Sequence, residues 1–191
     1  FFSSFQFGTT MFNTLKISLY SIVVGFPLPI ILAIISNQLR VGKFRKIFQV
    51  TTYLPHFIST MVMCGMIILF LSPTSGLLAN VFKSVGITIP DFLSKPTNFA
   101  GVYVWSDVWQ HIGWDSIIYL AALSAIDPTY YEAATMDGAS RLQKIRHIEL
   151  PLLLPTAMIL LILRAGSLLS VGFEKVLLLQ NPLNLAGFDK K

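Results

Sequence analysis

The sequence predicts an all-α integral membrane protein with four membrane-spanning helices, and three observations predict it. The composition is 54% hydrophobic and 12% charged with a mean hydropathy of +0.69, whereas a soluble domain carries about 25% charged residues. The apolar residues come in long runs, and about 20 of them in succession suffice to cross the hydrocarbon of a bilayer. The basic residues concentrate in two short segments between those runs. That placement makes the net charge of +5 a topology signal; a nucleic-acid surface would spread its charge over a patch with interleaved aromatics.

The first span is expected over about Phe12–Ile35. Pro27 and Pro29 beside Gly25 predict a kink there, which a membrane helix tolerates when neighbours take up the freed backbone groups. Residues 37–46, NQLRVGKFRK, hold Arg40, Lys43, Arg45 and Lys46 with no acid, so this segment is cytoplasmic by the positive-inside rule. The second span is expected over about Ile47–Leu71. It contains Cys64, the only cysteine, which excludes an internal disulfide and a thiolate metal site and leaves packing as its role. Residues 72–98 then form an external loop, with Pro73, Pro90 and Pro96 marking irregular structure around a short helix near Leu77–Val85. The third span is expected over about Phe99–Ala125 and the fourth over about Leu152–Gly172. Arg141, Lys144 and Arg146 lie between these two spans, which puts residues 127–150 on the cytoplasmic side with Arg40–Lys46. Residues 1–11 and the tail Phe173–Lys191 are external. A chain that begins and ends at the outer edge of a span predicts a further helix beyond each end.

The cytoplasmic segment has local order of its own. Asp127-Pro128 supplies an N-cap and a Pro at the first helical position, good helix formers follow, and Gly138 is a natural left-handed stop. A second short helix starts at Ser140, which has capping-box spacing to Gln143. Leu142, Ile145 and Ile148 follow at intervals of three, and Pro151 is expected to end the run.

Glu132-Ala133-Ala134, then Gly138, Ile148 and Leu150-Pro151, fix seven positions across twenty and resemble the EAA motif of permease subunits in binding-protein-dependent ABC importers. Asp137 and Ala139 within the motif, Tyr53-Leu54-Pro55, and Gly76-Leu77-Leu78-Ala79-Asn80 are similar to the type I carbohydrate branch. The stretch GFEKVLLLQNPLN, Gly172–Asn184, resembles permeases for oligosaccharides and polysaccharide fragments; Ala186–Lys191 resembles nothing in that group. The resemblance implies a type I ABC importer permease fold in a single domain over 1–191, multi-pass in a bacterial cytoplasmic membrane. It also implies that Glu132, Ala133, Ala134, Asp137, Gly138, Ala139, Ile148, Leu150 and Pro151 couple the chain to an ATPase. The implied partners are a second homologous permease, two ATPase subunits that hold ATP and Mg, and an extracytoplasmic sugar-binding protein. No cofactor and no nucleic acid is implied for this chain itself.

The residues agree with a transport role lacking its own chemistry. The sequence has no GxxxxGK[ST] and no HExxH, and His56, His111 and His147 are expected to lie far apart. An ion-coupled secondary transporter would show inverted repeats and paired broken helices, which the sequence does not display; a permease for a solute other than sugar is the second alternative. Charges inside spans mark pathways or partners. Asp107, His111 and Asp115 recur every four residues on one helical face, with Trp105, Trp109 and Trp114 nearby, a combination suited to binding sugar hydroxyls and stacking on pyranose rings. Arg164 is expected about 20 Å above the cytoplasmic end of its span and Asp115 about 15 Å above the same face, depths that allow them to pair. The topology is checked by labelling single cysteines on intact cells with an impermeant reagent: Lys83→Cys should react and Lys43→Cys should not, and the opposite pattern inverts the orientation.

Overall fold

The computed structural model describes residues 5–39, 42–72, 82, 96–168 and 172–179. Every element among them is helical. The expected external helix near Leu77–Val85, most of the 72–98 loop, Arg40 and the tail beyond Leu179 lie outside the described residues. Helices α1 (Phe5–Gly25) and α2 (Pro27–Gln38) follow one another across Phe26, so Pro27 and Pro29 fall at the start of a new helical segment, where a missing N–H costs nothing. From Thr10 to Gln38 the two form one membrane-length apolar stretch of 29 residues.

The second expected span is not one straight helix. It divides into α3 (Gly42–Tyr53), a 3₁₀ turn over Leu54–Phe57 and α4 (Thr60–Leu71), with a bend of 98° between the halves. Pro55 lies in the turn, where its ring cannot continue an α-ladder. Ser59 restarts the helix by accepting a hydrogen bond from the Val62 N–H. The remaining helices are α5 (Pro96–Ser124), α6 (Pro128–Met136), α7 (Arg141–Lys144), α8 (Leu150–Gly166) and α9 (Phe173–Leu179).

A π turn over Ile145–Glu149 joins α7 to α8, so the chain runs as membrane-length helix from Arg141 to Gly166. Pro151 therefore does not end the second cytoplasmic helix as the sequence suggested. The Leu150 N–H already bonds to the Ile145 carbonyl in an i→i+5 turn, and the ladder is shifted just before Pro151, which has no N–H to give.

Helix α5 is the axis of the fold. At 29 residues it is about 44 Å long, and α1, α2, α3, α8, α9 and the 3₁₀ turn all pack on it. Two apolar clusters hold its ends. Val104, Val108, Phe99 and Tyr103 pack with Cys64 and Leu179, and Tyr119 and Leu123 pack with Ala33, Leu153 and Ala157. Between the clusters α5 meets the bend backbone to backbone. A Cβ at Gly113 would stand 2.0 Å from the Thr52 carbonyl oxygen, so only glycine admits this approach. One turn away the buried Gln110 donates through Nε2 to the Ile58 carbonyl at 2.7 Å, taking up a group freed by the bend. Outward-facing Leu19, Ile31, Leu69, Ile159 and Ile162 are exposed on the chain, a surface suited to lipid or neighbouring helices.

Replacing Gly113 by Ala forces two backbones apart, an overpacking of about 3 kcal/mol or more. Gly113→Ala should lower the melting temperature of the detergent-solubilised chain by at least about 6 °C. Gly101→Ala on the same helix, where nothing lies within 4 Å, should leave it within about 2 °C.

Candidate functional site

Residues 127–144 fold as a helix–glycine–helix hairpin. Asp127 caps α6 by accepting from the Thr129 N–H at 2.9 Å, and that bond holds its carboxyl below the usual carboxylate range. Gly138 has φ +73°, the left-handed conformation in which a side chain is strained. Ser140 and Gln143 form a complete capping box at the start of α7. Lys144 Nζ donates to Thr135 Oγ1 at 2.6 Å and clips the two helices together. Glu132, Ala133, Asp137 and Gly138 lie exposed on this hairpin, Ala134 and Ala139 are half-buried, and Met136 is 88% exposed at its tip. Ile148, Leu150 and Pro151 belong instead to the π turn and the first turn of α8.

The motif's internal residue Glu149 is placed differently from its neighbours. It is fully buried, and its Oε1 accepts from Gln38 Nε2 at 2.8 Å, Asn37 Nδ2 at 3.3 Å and the Tyr131 hydroxyl at 3.4 Å. Burial, then the charge of Glu149 and this hydrogen bond, push the Tyr131 phenol up to about 12. Neither Glu149 nor Tyr131 was singled out from sequence; the available signal was an acid standing three residues before the expected start of a membrane span.

Inside the bundle, the polar face of α5 is ion-paired from two directions. Arg164 Nη2, from the C-terminal end of α8, bonds to Asp115 Oδ2. Lys175 Nζ, from α9, reaches Asp107 Oδ1 at 3.2 Å and lies 4.8 Å over the Tyr103 ring. His111 Nδ1 is 3.0 Å from the Asp107 carbonyl oxygen and 3.5 Å from its carboxylate. Charges of this kind are tolerated within a span when paired with one another or turned to a cavity, and here both hold. Asp107, His111, Asp115 and Arg164 border one cavity of about 400 Å³ with Ser18 and Ser21. Asp115 and Arg164 also border a second, of about 230 Å³, with Phe26 and Tyr119. Lys175 escaped sequence reading because it lay in a segment assigned to the external tail.

Two expectations about this face do not hold. The tryptophans do not join the carboxylates. Trp105 and Trp109 line an apolar groove with Met63, Met66 and Phe70, and Trp105 donates to the Tyr20 hydroxyl at 3.0 Å. Trp114, one residue before Asp115 and so about 100° round the helix, stacks on His56 at 4.4 Å with the rings nearly parallel. His56 and His111 are not far apart either, since their ring centroids are 5.3 Å apart. The bend in the second span folds the 3₁₀ turn back onto α5, which no reading of a straight span could anticipate. Among the described residues no group of three His, Cys, Asp or Glu side chains could hold a metal ion.

Membrane-length helices around a paired polar face, one of them led by a glycine-broken hairpin, define an integral membrane protein. Residues 25–173 match the family of binding-protein-dependent transport system inner membrane components, and the chain belongs to that family. It is 39% identical over 172 residues to the polygalacturonan/rhamnogalacturonan transport system permease protein YteP of Bacillus subtilis (strain 168), which covers 90% of this chain and 54% of the relative. It is 36% identical over 189 residues to Protein LplB of the same organism, covering 99% of this chain and 59% of the relative. A crystal structure of a bacterial ABC transporter involved in the import of the acidic polysaccharide alginate superposes with a TM-score of 0.93 at 42% identity, over 98% of this chain and 66% of that one. The chain thus spans somewhat over half the length of the curated relatives it matches.

If Arg164 and Asp115 hold each other in a low-dielectric setting, removing either strands the other, at a cost of about 3–5 kcal/mol. Arg164→Ala and Asp115→Ala should each be severe in a thermal-stability assay, and the double variant should recover at least about 1 kcal/mol relative to the sum. Strict additivity would rule out a coupled pair.

Proposed function

We propose that the chain is the membrane-spanning permease of an ATP-driven ABC importer, carrying an oligosaccharide or polysaccharide fragment delivered by an extracytoplasmic binding protein. The observation that carries this reading is the hairpin of α6 and α7. It is a capped helix ended by a left-handed glycine, it lies outside the spans, and it presents a large apolar side chain, Met136, almost fully to solvent. Exposed apolar side chains on such a segment, Met136 together with Leu142 and Tyr130, are suited to a groove on a soluble partner. In this reading that partner is one of two ATPase subunits, which hold ATP and Mg and supply the energy. A second, homologous permease completes the membrane part in a bacterial cytoplasmic membrane.

The solute route runs past the paired face of α5. Asp107, His111, Asp115 and Arg164 offer acceptors and donors to sugar hydroxyls along the 400 Å³ cavity. The relative named for polygalacturonan/rhamnogalacturonan transport and the alginate importer support a saccharide as the solute. The family match weighs against an ion-coupled transporter. The experiment is site-directed crosslinking in the complex isolated from the native host. A cysteine at Met136 should crosslink to an ATPase subunit in at least one nucleotide state. Failure in all nucleotide states, in complexes that still take up solute, would remove the docking assignment.

A further inference from the structure

We propose that Glu149 is a positioning residue for energy coupling, the joint that makes α6, the end of α2 and the start of α8 move as one body. This rests on the reading of the α6 hairpin as the ATPase dock. Glu149 lies at the end of the π turn, at the root of α8; Asn37 and Gln38 close α2, the cytoplasmic end of the first span; and Tyr131 belongs to α6. Three donors from two other elements therefore converge on one oxygen of a single side chain.

A packing role alone does not account for this arrangement. Burying a carboxyl costs several kcal/mol unless it is well bonded, and here its other oxygen, Oε2, is buried with no hydrogen-bond partner among the described residues. Two cations, Arg141 and Lys144, border the same 280 Å³ cavity, but among the described residues neither forms a salt bridge with Glu149, and Lys144 is bonded to Thr135. What the carboxyl provides is one acceptor that gathers donors from two elements, closely from Gln38 at 2.8 Å and at longer range from Asn37 and Tyr131 at 3.3 and 3.4 Å, although burial pushes its pKa up. The π turn contributes as well. An i→i+5 turn holds about one more residue than an α turn, re-aims the side chains around it, and occurs often at functional sites. Without the tie, the described links from α6 to the spans are Ile126 and Asp127 on one side and, on the other, the glycine turn with the exposed Lys144–Thr135 bond, and a push on α6 could be absorbed there.

The test uses the whole complex of permeases and ATPase subunits in nanodiscs. Spin labels are placed on Thr129 of α6 and Ile35 of α2, both exposed on this chain, and the interlabel distance is measured without nucleotide and with ATP, Mg and vanadate. The wild-type distance should be narrow and the same in both states. In Glu149→Ala it should broaden and shift by about 2 Å or more between states, the scale of helix displacements in switching proteins. Glu149→Gln, which keeps an acceptor at the Oε1 position, should restore the wild-type pattern at least in part. A wild-type distance that itself shifts with nucleotide overturns the proposal, as does a Glu149→Ala distance as narrow and invariant as wild type. If Glu149→Ala fails to insert, Tyr131→Phe and Gln38→Ala each remove one donor, and invariance in both overturns it equally. ATPase subunits that fail to copurify with the wild-type chain would count against the docking reading and not against the joint, because the nucleotide-free comparison of wild type with Glu149→Ala still reports on the tie.

Discussion

A carboxylate within a membrane-length helix has to meet a cation or water, and the arrangement of this bundle follows from how Asp107 and Asp115 do so. The two lie eight residues apart on one face of α5 and draw in Lys175 from α9 and Arg164 from α8. Each pairing fixes the end of an element whose chain neighbours are far away, by 68 and 49 residues respectively. With the ends of α8 and α9 tied to α5, the turn after α8 closes on α1 through the hydrogen bond from Ser18 Oγ to the Leu168 carbonyl. A solvated ion pair would contribute little to any of this. These pairs are partly shielded, and leaving either member single would be expensive. The cavities that flank Asp115–Arg164 are then a consequence of charges that require polar surroundings.

The second constraint is the backbone itself. In hydrocarbon an unbonded carbonyl costs several kcal/mol, so a span broken at Pro55 persists only if another helix supplies donors. Gln110 does so for Ile58, and Gly113 lets α5 come close enough for that reach. The same contact sets His56 against Trp114 and His111. A bend, a glycine and a glutamine from distant parts of the sequence thus form a single structural unit.

The hairpin of α6 and α7 is capped at both helix starts, and among the described residues it is fastened to the bundle through buried polar groups. Tyr131 reaches Glu149, and Glu149 reaches Asn37 and Gln38. For the docking role proposed above, a few directional contacts suffice to connect the segment to the spans. A broad apolar interface would bury the surface the partner needs.

Much of this was legible in the chain alone. The helical class, the caps at Asp127 and Ser140, the left-handed turn at Gly138 and the common face of Asp107, His111 and Asp115 are local or periodic properties, set by residues within four positions of each other. The depths that allow Arg164 to meet Asp115 follow from helical rise. What tertiary structure alone decided is nonlocal. The 98° break of the second span depends on α5 accepting it, the run through Pro151 depends on a π turn that no residue type announces, and Lys175 meets Asp107, and Glu149 meets Asn37 and Gln38, from segments more than sixty residues away. The tryptophans belong with these, since spacing in sequence brought them near the carboxylates while 100° per residue turned them to other faces. Periodicity records which way a side chain leaves its own helix, and only packing decides what it meets there.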